Sequence, residues 1–475
     1  MSIKQFTISV ADLSKDQYLR NDEKYHFFLS SSDWNLFDSK NKMLIPLRDI
    51  LIDDYNNFKY EESEEYKGIP TGRAYLDEDG GIKGFKCVSE ENHPGRLKYK
   101  ATNENILISS LRLAKAPALY FENTDLSEYV FSNGFYIYKV RDGWNRKFVL
   151  YILRTKKLKN VLDNYIYRGI GISGYKDSDL KKIKIPFINI EKQHQATTQI
   201  EPVEKAIGEL KSQILSPQEA INKVFAREAG FDLEKVRKVD NDNRFYCDFS
   251  QFVPKNSNIR FSYRWNQLER VQEELYRNNK DIQLLGDFIK STKNGWSPEC
   301  NNDENGQAVL GIDAIQKTGK LDFGNPKFTK QTKGNIADFM VKDRDFFVSR
   351  GNTTDLVAMA SVAEIGEDGQ DYIYPDLMIK VEFDEREIDK EYIAFLFNSV
   401  IGRTYFKYSA KGKNQTMVKI SAKELCDFRL PVPIKSIQQK IVNEIKVELE
   451  KQENVKRKIE TERNKIDEII EKAIA

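Results

Sequence analysis

Raw material for catalysis is scarce in this sequence. Its 475 residues include only three histidines, His26, His93 and His194, and four cysteines, Cys87, Cys247, Cys300 and Cys426, all far apart. Without a Cys-x-x-Cys spacing neither a zinc site nor a disulfide framework is signalled, and inert thiols are expected. A Ser-His-Asp or His-Cys arrangement has little to draw on. No apolar run approaches the roughly 18 residues of a membrane span, and the start MSIKQFTISVADLSKD lacks a basic segment followed by a hydrophobic one. A cytoplasmic chain is expected. The adenine-methyltransferase segments Asn-Pro-Pro-Tyr and Asp-Pro-Pro-Tyr do not occur. Pro375-Asp376 begins a metal-nuclease pattern, but the next Glu-x-Lys is the distant Glu444 and Lys446. Gly169, Gly171 and Gly174 match G-x-G-x-x-G, yet the chain continues through KDSDLKK into the strand-like IKIPF and not into a helix, so a loop is expected. No enzyme, no metal and no cofactor of its own are expected.

Charge of one sign is also missing overall: 75 Lys plus Arg stand against 73 Asp plus Glu, a net +2. Locally the signs separate. From Thr404 to Lys423 the chain carries Lys407, Lys411, Lys413, Lys419 and Lys423 without an acid, whereas Glu364 to Glu391 is crowded with carboxylates. One face can therefore attract phosphate. With 40% hydrophobic, 12% aromatic and 31% charged residues the chain is of ordinary globular type, and its length suggests roughly two to four domains.

What is present is an internal repeat. KIKIPFINIEKQ from Lys182 answers DFRLPVPIKSIQ from Asp427, and an offset of 245 pairs Pro186 with Pro431, Leu180 with Leu425 and Gln193 with Gln438. Upstream the match continues with small length changes. ILISSLR from Ile106 resembles FFVSRGN from Phe346, YVFSNGFYIYKV from Tyr129 resembles YIYPDLMIKVEF from Tyr372, and FVLYIL from Phe148 answers YIAFLF from Tyr392. Short β-branched and aromatic runs between Gly, Asn and Asp predict a mostly β region in each repeat. Each then ends in a long helix. Ala196, Ile200, Val203, Ile207, Leu210 and Ile214 form one apolar seam with alternating steps of four and three. Ile441, Ile445, Val455, Ile459, Ile466 and Ile469 follow the other, interrupted by Glu448, Gln452 and Glu462. Ser216-Pro217 reads as an N-cap and first-turn proline of a further short helix. Narrow seams stay wet on isolated helices, so packing the two together is the economical solution.

On the duplicated LPVPIKSIQQKI from Leu430, the module opening QLLGDFI from Gln283 with its looser partner IPLRDI from Ile45, and FFVSRGNTTDLVAMA from Phe346, the sequence resembles the specificity subunit of type I restriction-modification systems. The resemblance covers nearly the whole chain, although ISSLRLAKAPAL lacks the Arg-Gly-Asn of the second module. It implies an α+β fold, with two repeated mostly-β target-recognition domains separated by two long helices packed as an antiparallel coiled coil. The expected boundaries are 1–187 and 236–433 for the recognition domains (236–281 connecting), 188–235 for a central helical spacer and 434–475 for a C-terminal spacer helix. It also implies double-stranded DNA as ligand, two methyltransferase subunits that bind S-adenosylmethionine, and motor-nuclease subunits as partners. Three other readings stay open at this point: a related bipartite system with a fused methyltransferase-nuclease, an enzyme with a degenerate duplication, and a protein-protein scaffold.

Expected DNA contacts follow from side-chain chemistry. Lys407, Lys411, Lys413 and Lys419 suit phosphates, and Asn414 and Gln415 can pair bidentately with adenine. Arg350 and Asn352, at a strand end beside a glycine, each present two hydrogen bonds in a plane. In the first module Arg112, Lys115 and Arg168, with the 169–174 loop, stand at the corresponding places.

Overall fold

The structure, a computed structural model, describes residues 24–25, 37 and 43–474, apart from 73, 115, 123, 169–173, 243, 245, 247–262, 278–280, 302–304, 332–334, 367–370 and 415–416. Its helices are α1 (Arg146–Arg154), α2 (Lys156–Asn164), α3 (Asp177–Leu180), α4 (Ile190–Lys211), α5 (Pro217–Ala229), α6 (Leu233–Asn241), α7 (Tyr263–Tyr276), α8 (Lys390–Asn398), α9 (Val400–Ser409), α10 (Ala422–Cys426) and α11 (Lys435–Ile474). The chain divides into two compact units: Met1–Ser212 with Arg457–Ala475, and Gln213–Lys456.

The same plan is built in both. In unit one Leu44–Pro46 pairs antiparallel with Lys184–Pro186, and a four-stranded sheet runs in the order Leu51–Asp53, Phe135–Val140, Ile106–Ser109, Ala118–Leu119. In unit two Ile282–Leu284 pairs with Arg429–Pro431, and the four-stranded order is Ile289–Asn294, Met378–Phe383, Phe346–Ser349, Ala360–Val362. A second sheet in each unit contains one parallel pair, Tyr66–Ile69 with Tyr129–Ser132 and Gln307–Val309 with Tyr372–Ile373. The fold is therefore α+β, with two β-rich regions. The apolar runs answer each other as helices. FVLYIL lies in α1 and YIAFLF in α8, each buried along its whole run and started by an N-cap, Asn145 accepting from Phe148 N–H and Asp389 accepting from Tyr392 N–H.

Gln193 and Gln438 tie the long helices to these modules. Gln193 Oε1 accepts from Asn145 N–H at 2.6 Å, and its Nε2 donates to the carbonyls of Gly143 at 3.3 Å and Ile188 at 2.7 Å. Gln438 Oε1 accepts from Asp389 N–H at 2.8 Å, and its Nε2 donates to Glu387 at 2.8 Å and Pro433 at 2.7 Å. Both side chains are 0% exposed. Each thus satisfies the first, otherwise orphaned, amide before α1 or α8.

The long helices exchange partners between the units. In unit one Ala196 and Ile200 of α4 share a core with Ile470 and Ile474 of α11. In unit two Ile441, Val442 and Ile445 of α11 share a core with Ile221, Val224 and Phe225 of α5. The offset of 245 that maps α4 onto the start of α11 also maps Ile221, Phe225 and Ala229 onto Ile466, Ile470 and Ile474. Within unit two the pairing is antiparallel: Gln452 Oε1 accepts from Leu215 N–H at 2.9 Å, Glu448 pairs with Lys223 at 3.3 Å, and Lys440 with Glu228 at 2.7 Å. Gln452 and Glu448, which interrupt the apolar seam in sequence, are spent on this pairing. In unit one Lys211 of α4 and Arg463 of α11 meet on Asp79, which Arg463 grips at 2.7 and 2.8 Å.

Two details differ from the sequence expectation. The first seam does not run through Ile214: α4 ends at Lys211, and Val203, Leu210 and Ile214 are only half-buried where Ile207 is buried. Ser216-Pro217 forces this break, because the residue before proline is kept out of the helical region. Ser216 then caps α5 in a reciprocal box with Glu219, and Gly230 ends it at φ 70°. Residues 213–235, expected within the central spacer, fall in unit two together with the connecting segment 236–281, and Phe231 and Val236 around α6 and Leu268, Val271 and Leu275 of α7 join its core. On α11, Ile441, Ile445 and Ile459 are buried, whereas Val455, Ile466 and Ile469 are half-buried.

Candidate nucleic-acid interface

One junction recurs at the end of the central strand of each unit. In unit two, Arg350 N–H donates to Leu377 O at 2.7 Å, and Arg350 O accepts from Ile420 N–H at 2.9 Å. In unit one, Ser110 N–H donates to Gly134 O at 2.9 Å, and Ser110 O accepts from Tyr175 N–H at 3.0 Å. A strand end is thereby held between a tight turn (133–134 or 376–377) and a returning segment (174–175 or 417–420). The next residue extends the contact, Leu111 bridging to Gly174 and Gly351 pairing with Lys419. A glycine is needed in this crossing: a Cβ on Gly174 would lie 2.4 Å from Ser110 O. Unit two completes the junction with the strands Gly351–Asn352, Met417–Lys419 and Lys411–Asn414 in one small sheet.

The structure thus brings Arg350, Asn352, Lys411 and Lys419 together. Arg350 is half-buried, and among the described residues its side chain makes a single long hydrogen bond, Nη1 to Asp376 O at 3.5 Å. Asn352 Oδ1 accepts from Thr353 N–H at 2.8 Å. Lys411 pairs with Glu424 at 2.6 Å but stays 63% exposed. Burial alone would raise the Glu424 carboxyl, yet the Lys411 ammonium and the Ser421 hydroxyl hold it below its usual range. Only the lysine end of this pair is exposed, since Glu424 is buried, so turning Lys411 to a phosphate leaves the Glu424 carboxylate held by the Ser421 hydroxyl and amide. Lys419 is exposed. Lys413 and Asn414 lie on the strand Lys411–Asn414, while Gln415 lies outside the described residues. Lys407 is set apart: it belongs to α9 and pairs at 3.1 Å with Asp240, which also accepts from Tyr408 Oη at 2.6 Å.

Unit one uses its basic residues differently. Arg168 holds Asp179, 1% exposed, through two bonds of 2.9 and 3.0 Å. Arg112 lies 4.0 Å from the Tyr167 ring centroid and donates Nε to Asp163 O at 2.5 Å. Both guanidiniums therefore hold the fold around the junction. Lys115, Gly169 and Gly171 lie outside the described residues.

Sequence reasoning missed the turns that complete the junctions. In unit two Gly295 lets the chain lie against Tyr374 and Pro375, where a Cβ would meet their carbonyls at 2.2 and 2.3 Å. This seats Ser297 beside Asp376: Ser297 Oγ donates to Asp376 Oδ1, and Asp376 N–H donates back to Ser297 Oγ at 3.1 Å. The signal was there in the turn residues Asn133-Gly134 and Pro375-Asp376, with Asn133 and Asp376 at equivalent places of the repeat. Near the loop 353–358, Arg403 is buried and donates to the Val357 carbonyl, and burial pushes its guanidinium down to about 10.

Among the described residues no group of His, Cys, Asp and Glu is placed to hold a metal ion, and no helix is long and apolar enough to cross a membrane. No protein-family model matches the sequence, and no curated protein sequence does. Solved structures do match. One is a chain from work on complex assembly and conformational transition of the type I R-M system, at 13% identity and TM-score 0.44, with 92% of this chain and 98% of that one covered. Another is the HsdS subunit from Thermoanaerobacter tengcongensis, at 14% identity and TM-score 0.34, covering 91% and 96%. A third is the type I restriction-modification S subunit from M. genitalium, at 13% identity and TM-score 0.39, covering 92% and 97%. Structural neighbours spanning more than nine-tenths of this chain thus come from type I restriction-modification systems, two of them named as the S subunit, at low sequence identity.

Proposed function

We propose that this chain is a non-catalytic, DNA-sequence-reading subunit of a type I restriction-modification complex. Each unit reads one half of a bipartite double-stranded target. The helices α4 and α11 set the gap between the halves and dock two methyltransferase subunits, which supply S-adenosylmethionine, and motor-nuclease subunits complete the assembly. The observation that carries this reading is the junction built twice, hydrogen bond for hydrogen bond, with Arg350, Asn352, Lys411 and Lys419 gathered at the second copy. A repeated reader is what a two-part target requires, and residues that suit phosphates and base edges at the same place are what reading requires. The test is a methylation map of the native host. Deleting the gene removes one bipartite motif, and exchanging residues 282–433 for those of a relative changes one half of it. If both halves change, or neither does, the two-reader function is wrong.

A further inference from the structure

The turn beside Arg350 carries an acid where an interface for phosphate has no electrostatic use for one. Asp376 is half-exposed, and Ser297 fixes its carboxylate through Oδ1. Among the described residues Oδ2 has no hydrogen-bond partner. Arg350 bonds the Asp376 carbonyl and not its carboxylate, so the acid is not consumed in an ion pair. A fixed carboxylate on the turn that Arg350 bonds repels a DNA backbone unless it meets a donor. In the major groove those donors are the exocyclic amino groups, and a carboxylate is suited to cytosine N4, as an arginine is to guanine O6 and N7.

We infer that Asp376, positioned by Ser297, is a specificity-determining residue that accepts from the amino group of a cytosine, while Arg350 beside it takes a guanine. The repeat supplies an independent counterpart. Asn133 occupies the equivalent turn of unit one, exposed and without a side-chain hydrogen bond to any described residue. An amide in that place is suited to adenine N6 and N7. The acid and the amide thus assign different bases to the two half-sites at one structural position.

This inference rests on the proposed DNA-reading function, and one experiment separates their failures. In the native host, the chromosomal gene is replaced by Asp376→Ala, Asp376→Asn and Asn133→Ala variants, and genomic methylation is mapped beside wild type and a deletion strain. If the deletion removes no bipartite motif, the DNA-reading function itself fails. Given that it does, Asp376→Ala makes one cytosine position of one half-site degenerate, with discrimination there falling about 10-fold or more. Asn133→Ala does the same at one adenine of the other half. Asp376→Asn keeps the size and the Ser297 contact and shifts the base preferred at that same position. An unaltered motif in an active variant overturns the assignment, as does degeneracy at a different kind of base. Loss of all methylation by Asp376→Asn chains that still fold overturns it too, because one base contact does not carry the whole affinity.

Discussion

Replacing Gln438 by Leu removes three hydrogen bonds from a fully buried place while nearly conserving volume. The orphaned groups are Asp389 N–H, Glu387 C=O and Pro433 C=O. A buried backbone group left without a partner costs about 1–3 kcal/mol, with carbonyls at the lower end. Taking about 2 for the amide and about 1 for each carbonyl gives about 4 kcal/mol, of which the leucine, needing no partner, offsets about 1. The expected loss is about 3 kcal/mol, read by urea denaturation of the full chain. Gln193→Leu removes the same set of bonds in unit one and costs the same within about 1 kcal/mol. The double variant adds to within about 0.5 kcal/mol, since the two sites share no partner. Gln438→Glu sharpens the test. Its second oxygen faces two carbonyl acceptors, so the folded state favours the protonated acid and raises its pKa above the unfolded value. Its stability is therefore highest below about pH 4 and declines as pH rises through the raised pKa. Losses below about 1 kcal/mol at both glutamines, or a flat pH profile for Gln438→Glu, would refute the reasoning.

Other perturbations have equally definite outcomes. Arg168→Ala leaves the buried Asp179 without its cation and destabilises unit one by about 3–5 kcal/mol in thermal or urea unfolding, and an unchanged melting temperature contradicts this. Lys411→Ala with Lys419→Ala lowers the salt slope of DNA binding by the assembled complex by about one to two, whereas an unchanged slope places both lysines off the phosphates. Inserting one heptad between Leu210 and Ser216, with a matching heptad in α11, adds roughly 10 Å of helix and lengthens the methylation gap by about three base pairs; an active variant with its original gap removes the helices from that role. A chain ended at Lys456 loses Ile470 and Ile474 from the unit-one core, at about 1.5–3 kcal/mol each, and limited proteolysis cuts unit one before unit two.

The repeat was the legible part of this sequence. The pairing of Gln193 with Gln438 stood out as a bare coincidence of letters, and the structure gives it a cause, since both side chains satisfy the amide that opens α1 or α8. The apolar runs FVLYIL and YIAFLF were recognisable as equivalents but not as helices. A run of that length lacks a distinguishing period, and it is the caps Asn145 and Asp389 that decide. The apolar seams were visible too, but not their partners. An isoleucine stripe states that a face will be buried and not against which helix, so the break at Ser216-Pro217 and the passage of α5 into unit two escaped. At the candidate interface, lysines and Arg350 could be nominated by chemistry. Arg168 shows the limit of that method, because a buried acid eleven residues away in sequence claims it. Asp376 was passed over as half of a nuclease pattern, its role depending on Ser297, a residue 79 positions earlier.

The exchanged helices also set an order of events during translation. Ala196 and Ile200 belong to a core that closes only with Ile470 and Ile474, and 270 residues separate Ile200 from Ile470. At about 5–20 residues per second the ribosome needs roughly 15–50 s to cover that stretch. Unit two has all its parts once Lys456 has emerged, so the half of the protein that is synthesised first is the half that finishes last. Throughout that interval the nascent chain holds an open apolar seam on α4, and every premature stop within it releases a first module that lacks its closing helix.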